Sequence, residues 1–302
     1  FICQEKDNMK KLLAAISLLL LSVFTSACSQ SGEVSGKPRI YTSFYAIYDF
    51  ASEIAGDKAD IYNIVPTGTE PHDWEPTVQD MAKLNNADVL FYNGLGMEHW
   101  IDKVQGSLSG SGTKFVQLSD GVEVNEDAGD PHIWLDPSNV KIMCGNIYET
   151  LCEIDPDNKA LYEANYNNYI VQLSSLDQTY RDAIEKLPEN NRSIVVSHEA
   201  YSYLCDAYGL NQGPIDGISA DSEPSPEKMM ELINFIKDNN IKYIFYEELV
   251  SQKTAQTLAD ETGAQLLPLN PFEGLTEEEI AKGDNYISVM LKNLENIKTA
   301  LK

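Results

Sequence analysis

The chain has 302 residues, 43% of them hydrophobic, with 47 acidic against 22 basic side chains and a formal net charge of −25. So acidic a chain does not neutralise nucleic-acid phosphates, which excludes DNA and RNA as partners. The length admits one large or two ordinary domains, and the acidity suits a solvated surface and a cationic ligand.

From Met9 the sequence runs "MKKLLAAISLLLLSVFTSAC": two lysines, an apolar run, then small residues ending at Cys28. This is the layout of a secretory signal peptide, and its apolar run is short for a membrane span. Residues 1–27 are therefore assigned to a signal segment, with 1–8 upstream of an expected start at Met9. The stretch "TSAC" resembles a bacterial lipoprotein processing site, with Thr25 where such sites usually carry leucine. The resemblance implies lipidation of Cys28 and anchoring to the outer face of the cell membrane. Residues 28–37 read as a flexible polar tether. Beyond Cys28, Cys144, Cys152 and Cys205 match no zinc spacing, and structural burial is the expectation.

After the tether, "RIYTSF", "ADIYNIV", "ADVLFYNG" and "KFVQLS" read as four strands, with helical patterns in "FYAIYDFASEIAG" and "TVQDMAKLNNA". Such alternation predicts parallel strands with crossover helices. It stops at Asp155, which caps a helix with Pro156 at its first position and Pro188 marking its end. Between them Leu161, Tyr162, Tyr166, Tyr169, Ile170, Leu173, Leu176, Tyr180, Ile184 and Leu187 keep one apolar face. The alternation resumes with strands in "RSIVVSH", "IKYIFYEE" and "AQLLPLN". Helices are expected in "PSPEKMMELINFIKDNN" and "SQKTAQTLADETG", and from about Tyr286. The expected fold class is α/β: two parallel-sheet domains, 38–154 and 189–302, joined by one long helix over 155–188.

On this scheme three of the four histidines fall at the carboxyl ends of parallel strands, the edge where open α/β sheets bind ligands. His72 lies in "EPHDWEP" after the second strand, His132 in "GDPHIWLDP" after the fourth, and His198 in "VVSHEAY" directly off the first strand of the second half. Two from one half and one from the other can meet in a cleft between domains. The fourth, His99 in "GMEHW", is expected to be structural or exposed. Imidazole nitrogens suit zinc and related transition metals. A tetrahedral site needs a fourth group, and the second half offers Glu199, Glu247, Glu248 and Glu273. Glu273, in "LNPFEGLTEEE", follows a strand as the histidines do, whereas Glu199 turns into a helix. Asp73 and Asp136 are candidates for orienting the imidazoles, with loop capping as their plain role.

The stretches "GTEPHDWEPTVQDMAKLNNADVLFYNG", "DPHIWLDP", "IVVSHEAYSYL", "SADSEPSPEKM" and "LNPFEGLTEEE" together resemble the zinc- and manganese-binding lipoproteins of bacterial ABC transporters, the solute-binding cluster with a rigid interdomain helix. The resemblance runs from Lys37 to the C-terminus. It implies metal-ligand roles for His72, His132, His198 and Glu273. It also implies capture of one divalent ion outside the membrane, and delivery to a permease driven by a cytoplasmic ATPase. Many zinc members carry a histidine-rich loop before the second ligand; here that region is "GVEVNEDAGD". Manganese members usually have a carboxylate where this chain has His198, and often aspartate in place of Glu273. Three imidazoles and one glutamate therefore favour Zn2+, with Mn2+ as the alternative. A monomeric binding protein is expected rather than an enzyme. The competing class is a secreted zinc metallohydrolase with water in the fourth position, for which no HExxH pair or nucleophile arrangement is found. Adhesion to host surfaces is a further role that surface anchoring suggests. Glu123, Glu126, Asp127 and Asp130 are expected either to draw cations toward the cleft or to form a plain solvated loop.

Overall fold

Residues 36–124, 129–188, 192–214 and 224–302 are described by a computed structural model. The leader, Cys28, all but the last two residues of the tether, and Glu126 and Asp127 lie outside the described residues.

In the first half, strands β1 (Arg39–Thr42), β2 (Asp60–Asn63), β3 (Val89–Tyr92) and β4 (Lys114–Gln117) form one parallel sheet in the order β2-β1-β3-β4. Strand side chains alternate between the two faces. Ile40, Val89 and Phe91 enter the main core beside α1 (Tyr45–Ala55). Tyr41 and Leu90 point the other way, into a smaller core with Leu84 of α2 (Val78–Leu84) and Val104 of α3 (Ile101–Ser107). Both faces being covered is the reason the inner strands read as nearly continuous apolar runs.

Helix α4 (Pro137–Ile154) follows, an 18-residue element to which the sequence reading assigns no structure. Its start carries a clear signal, since Asp136 caps it by accepting from Ser138 N (2.7 Å) and Pro137 takes the first position. Next comes the long helix. Asp155 and Pro156 open it as expected, but as one 3-10 turn over Pro156–Asn158, and the α-helical part α5 is Lys159–Ile184. Its 26 residues span about 39 Å. Tyr162, Tyr169, Leu173, Leu176, Tyr180 and Ile184 form its buried stripe, packed on α1, α4 and α10 (Tyr286–Ala300).

In the second half β5 (Ser193–Val196) pairs in parallel with β6 (Asn211–Pro214), and β7 (Tyr243–Tyr246) with β8 (Gln265–Pro268). Strand β6, "NQGP", was not expected: glycine, proline and polar residues give no strand signal, and only its pairing with β5 makes it one. Helices α6 (Ser202–Tyr208), α7 (Pro226–Asp238), α8 (Lys253–Thr262), α9 (Glu277–Ala281) and α10 complete the half. Ile194, Val196, Phe245 and Phe272 join the main core, so one apolar core runs through both halves, and residues 38–302 form one compact unit. Among the described residues no helix is long and apolar enough to cross a membrane.

Candidate metal centre

In the first sheet the strand order reverses between β1 and β3, so the loops leaving these parallel strands diverge and open a crevice at their carboxyl ends. Buried Glu98 organises that crevice. Its carboxylate accepts from Ser43 Oγ (2.6 Å) after β1, and from Asn93 N (2.9 Å) and Gly94 N (3.0 Å) after β3. Asn93 in turn donates from Nδ2 to the Pro131 carbonyl (2.9 Å), beside His132. The loops from β2 and β4 flank this point and carry His72 and His132. In the first loop Glu70 accepts from His72 N (2.9 Å) and Asp73 N (3.3 Å), making a tight turn of "EPHD". His198 comes two residues after β5, and Glu273 five residues after β8.

These four side chains converge. His132 Nε2 lies 3.1 Å from His72 Nε2 and 3.4 Å from His198 Nε2. Glu273 Oε1 is 3.0 Å from His132 Nε2, 3.4 Å from His198 Nε2 and 3.5 Å from His72 Nε2. All four residues are buried, and the group is able to hold a metal ion. A tetrahedron with metal–ligand bonds of 2.0–2.1 Å has edges of about 3.3–3.4 Å, and the measured edges bracket that value.

The outer nitrogens of two rings determine what the inner ones present. His132 Nδ1 is 2.6 Å from Asp130 Oδ1, and His198 Nδ1 is 2.7 Å from Glu247 Oε1. A carboxylate at Nδ1 holds the proton there and leaves the Nε2 lone pair free for the centre. Both carboxylates are themselves held, Asp130 by Ser202 Oγ of α6 and Glu247 by Ser197 Oγ. Burial alone would raise the pKa of Asp130, but the His132 imidazole and Ser202 bring it below the usual carboxylate range.

Glu273 Oε1 is buried with no hydrogen bond from a donor. A carboxylate oxygen in that position is costly unless a proton or a cation occupies the space it faces. The electrostatics agree. Burial would raise the pKa of Glu273, yet the three imidazoles hold it well below the carboxylate range. Burial would lower that of His198, yet Glu247 and Glu273 hold it well above the ordinary imidazole value. His72 is raised likewise, Glu273 and Glu70 outweighing its burial. The centre is built to hold positive charge.

Of the other candidates, Glu247 is an imidazole partner, while Glu199 and Glu248 lie outside the four-residue group. Asp136 caps α4, and Asp73 is exposed, so neither orients an imidazole. That task falls to Glu247 and to Asp130, which is buried rather than part of a solvated loop. The Asp-x-His spacing of Asp130 and His132 was the available signal; nothing local marks Glu247, Glu98 or Asn93. His99 is exposed, within the expectation for it; Cys144 and Cys205 are buried free thiols as expected for burial, whereas Cys152, also free, is only half-buried.

Comparison with known proteins gives concordant results. Residues 40–300 match the family described as ZnuA, zinc-uptake complex component A, periplasmic. The high-affinity zinc uptake system protein ZnuA of Bacillus subtilis (strain 168) is 37% identical over 307 residues, covering 96% of each chain. The crystal structure of the metal-dependent lipoprotein YcdH of Bacillus subtilis superposes with a TM-score of 0.80 at 40% identity, over 88% of this chain and 100% of that one. The Zn(II)-bound ZnuA-like domain of Streptococcus pneumoniae AdcA gives 0.79 at 39% identity, over 88% and 99%. With a family match over nearly all of the folded chain, and a buried His3Glu group at the mouth of its sheets, the chain belongs to the ZnuA family of periplasmic zinc-uptake components.

Proposed function

We propose that this protein captures one zinc ion outside the cytoplasm through His72, His132, His198 and Glu273, and hands it to the permease of an ATP-driven importer. The observation that carries the reading is the buried cluster of three Nε2 atoms and one carboxylate oxygen at tetrahedral spacing. Nitrogen-rich, four-coordinate surroundings suit zinc, whereas manganese favours more ligands and harder oxygen donors. Four protein groups also close the coordination sphere. A catalytic zinc keeps one position open for water or substrate, so the arrangement supports binding rather than hydrolysis. Glu273 fits the ion in a second way, since an anionic oxygen both completes the tetrahedron and reduces the charge that three neutral imidazoles would leave. Protons held by the raised imidazoles leave as the metal enters. Ligands contributed by both halves tie the ion's presence to their approach, which is what a permease needs in order to distinguish the loaded protein.

Stripping the protein with a chelator and adding back metals tests this reading. Zinc at a hundredfold excess over its dissociation constant should stabilise the fold by about 2.7 kcal/mol, seen as a raised Tm. Manganese at the same concentration should raise it much less. Equal shifts would overturn the assignment to zinc.

A further inference from the structure

Glu273 belongs to the second half, yet the backbone that presents it is gripped by the first. The Pro271 carbonyl accepts a 2.7 Å hydrogen bond from Trp134 Nε1, and the Glu273 carbonyl accepts from Tyr45 N (3.3 Å). Trp134 stands two residues after His132, with its ring 5.2 Å from that imidazole and 4.7 Å from Phe44. Its carbonyl is held in turn by the Tyr286 hydroxyl (2.8 Å). One short segment, "HIW", thus supplies one donor of the centre and fixes the loop that supplies another.

The loop needs such a grip. Phe272 has φ +60°, a left-handed conformation that is unfavourable for a bulky side chain and persists only where its surroundings impose it. Three contacts impose it: Asn270 Oδ1 accepts from Phe272 N (2.8 Å), and the rings of Tyr45 and Tyr286 each lie 5.5 Å from the Phe272 ring. At Gly274 a Cβ would stand 2.8 Å from the flexible end of Leu249 and in ordinary contact, 3.6 Å, with the Thr69 carbonyl, so this side of the turn is closely packed. The turn is therefore wedged on both sides, with the Glu273 carboxylate at its centre and Oε1 lacking a donor. Without the wedge, such a carboxylate gains by turning toward water.

We propose that Trp134 is a positioning residue of the metal centre: its indole N–H holds the Pro271 carbonyl so that Glu273 is already in place before the ion arrives. This rests on the zinc-binding reading above. Preorganisation of this kind raises affinity by removing the cost of ordering the ligand on binding. The test is a double-mutant cycle read by zinc titration against a competing chelator. Trp134→Phe keeps an aromatic ring but deletes the N–H, and should weaken zinc about tenfold, the worth of one buried hydrogen bond. In a Glu273→Ala background, which keeps three imidazoles, the same change should cost nothing further. Tyr286→Phe, which removes only the hydroxyl holding Trp134, should show the same dependence on Glu273 and carries the test if Trp134→Phe does not fold. An equal loss in both backgrounds would make Trp134 merely structural and overturn the proposal, as would no loss at all. Failure of the unaltered protein to bind zinc in the same titration would instead strike the functional reading itself.

Discussion

Three imidazoles and one carboxylate contribute unequally to a cation site. Removing a carboxylate leaves room that water can fill with another oxygen. Removing His198 deletes the only imidazole from the second half and leaves buried Glu247 without the ring it holds. Loss of a mere supporting partner typically costs 10–100-fold in metal affinity. Glu273→Ala is therefore expected near the upper end of that range, about 100-fold, and His198→Ala beyond it, both measured by chelator competition. Undiminished zinc affinity in Glu273→Ala together with a loss in Glu199→Ala would move the carboxylate role to Glu199.

At the scale of elements, the halves meet where α1 faces the start of α10. Asp49 on α1 is buried, and its carboxylate accepts from Tyr286 N in the first turn of α10 (3.1 Å). Burial pushes its pKa up to about 7, from an ordinary value of 3.8. The folded carboxyl thus keeps a proton that the unfolded chain releases. Between these two values the folded state binds more protons, so this residue makes stability fall as pH rises toward 7, with the loss persisting above. Asp49→Asn still accepts from Tyr286 N and is neutral at every pH. Relative to the unaltered protein, the metal-free variant should gain about 1–3 kcal/mol between pH 5 and pH 8. Urea denaturation at the two pH values reads the difference, and a gap that does not change with pH would refute the account.

For the whole molecule, the long helix α5 packs against α1 and α4 on one side of the junction and α10 on the other, within one continuous core. A single core through both halves favours small adjustments over wide opening, because packed interiors do not deform freely. We further propose that Cys28 carries the lipid that "TSAC" implies, with polar residues 28–37 between that lipid and the folded body. Cys28→Ala is expected to move the protein from the membrane fraction to the soluble one, with zinc affinity unchanged. A variant that stays with the membrane, or a native mature N-terminus without lipid, would rule out lipidation at Cys28.

Period and punctuation in the sequence determined most elements. Alternating apolar runs gave seven of the eight described strands, the heptad-like stripe gave α5, and Asp155–Pro156 gave its start. Counting strand ends then placed His72, His132 and His198 at the carboxyl ends of parallel strands, two in the first half and one in the second, because a parallel sheet puts all its outgoing loops on the same side. Local signals stopped short in two ways. Strand β6 exists only because β5 offers it a ladder, and an amphipathic pattern tells which face is buried without telling what it meets. The finer construction of the centre depends on residues far apart in the chain: Asp130 with Ser202, His198 with Glu247, and Trp134 with Pro271, separated by 72, 49 and 137 positions. Only the tertiary packing of the two halves decides these contacts, since hydrogen bonds reach about 3 Å and no sequence periodicity reports which distant groups come within that distance.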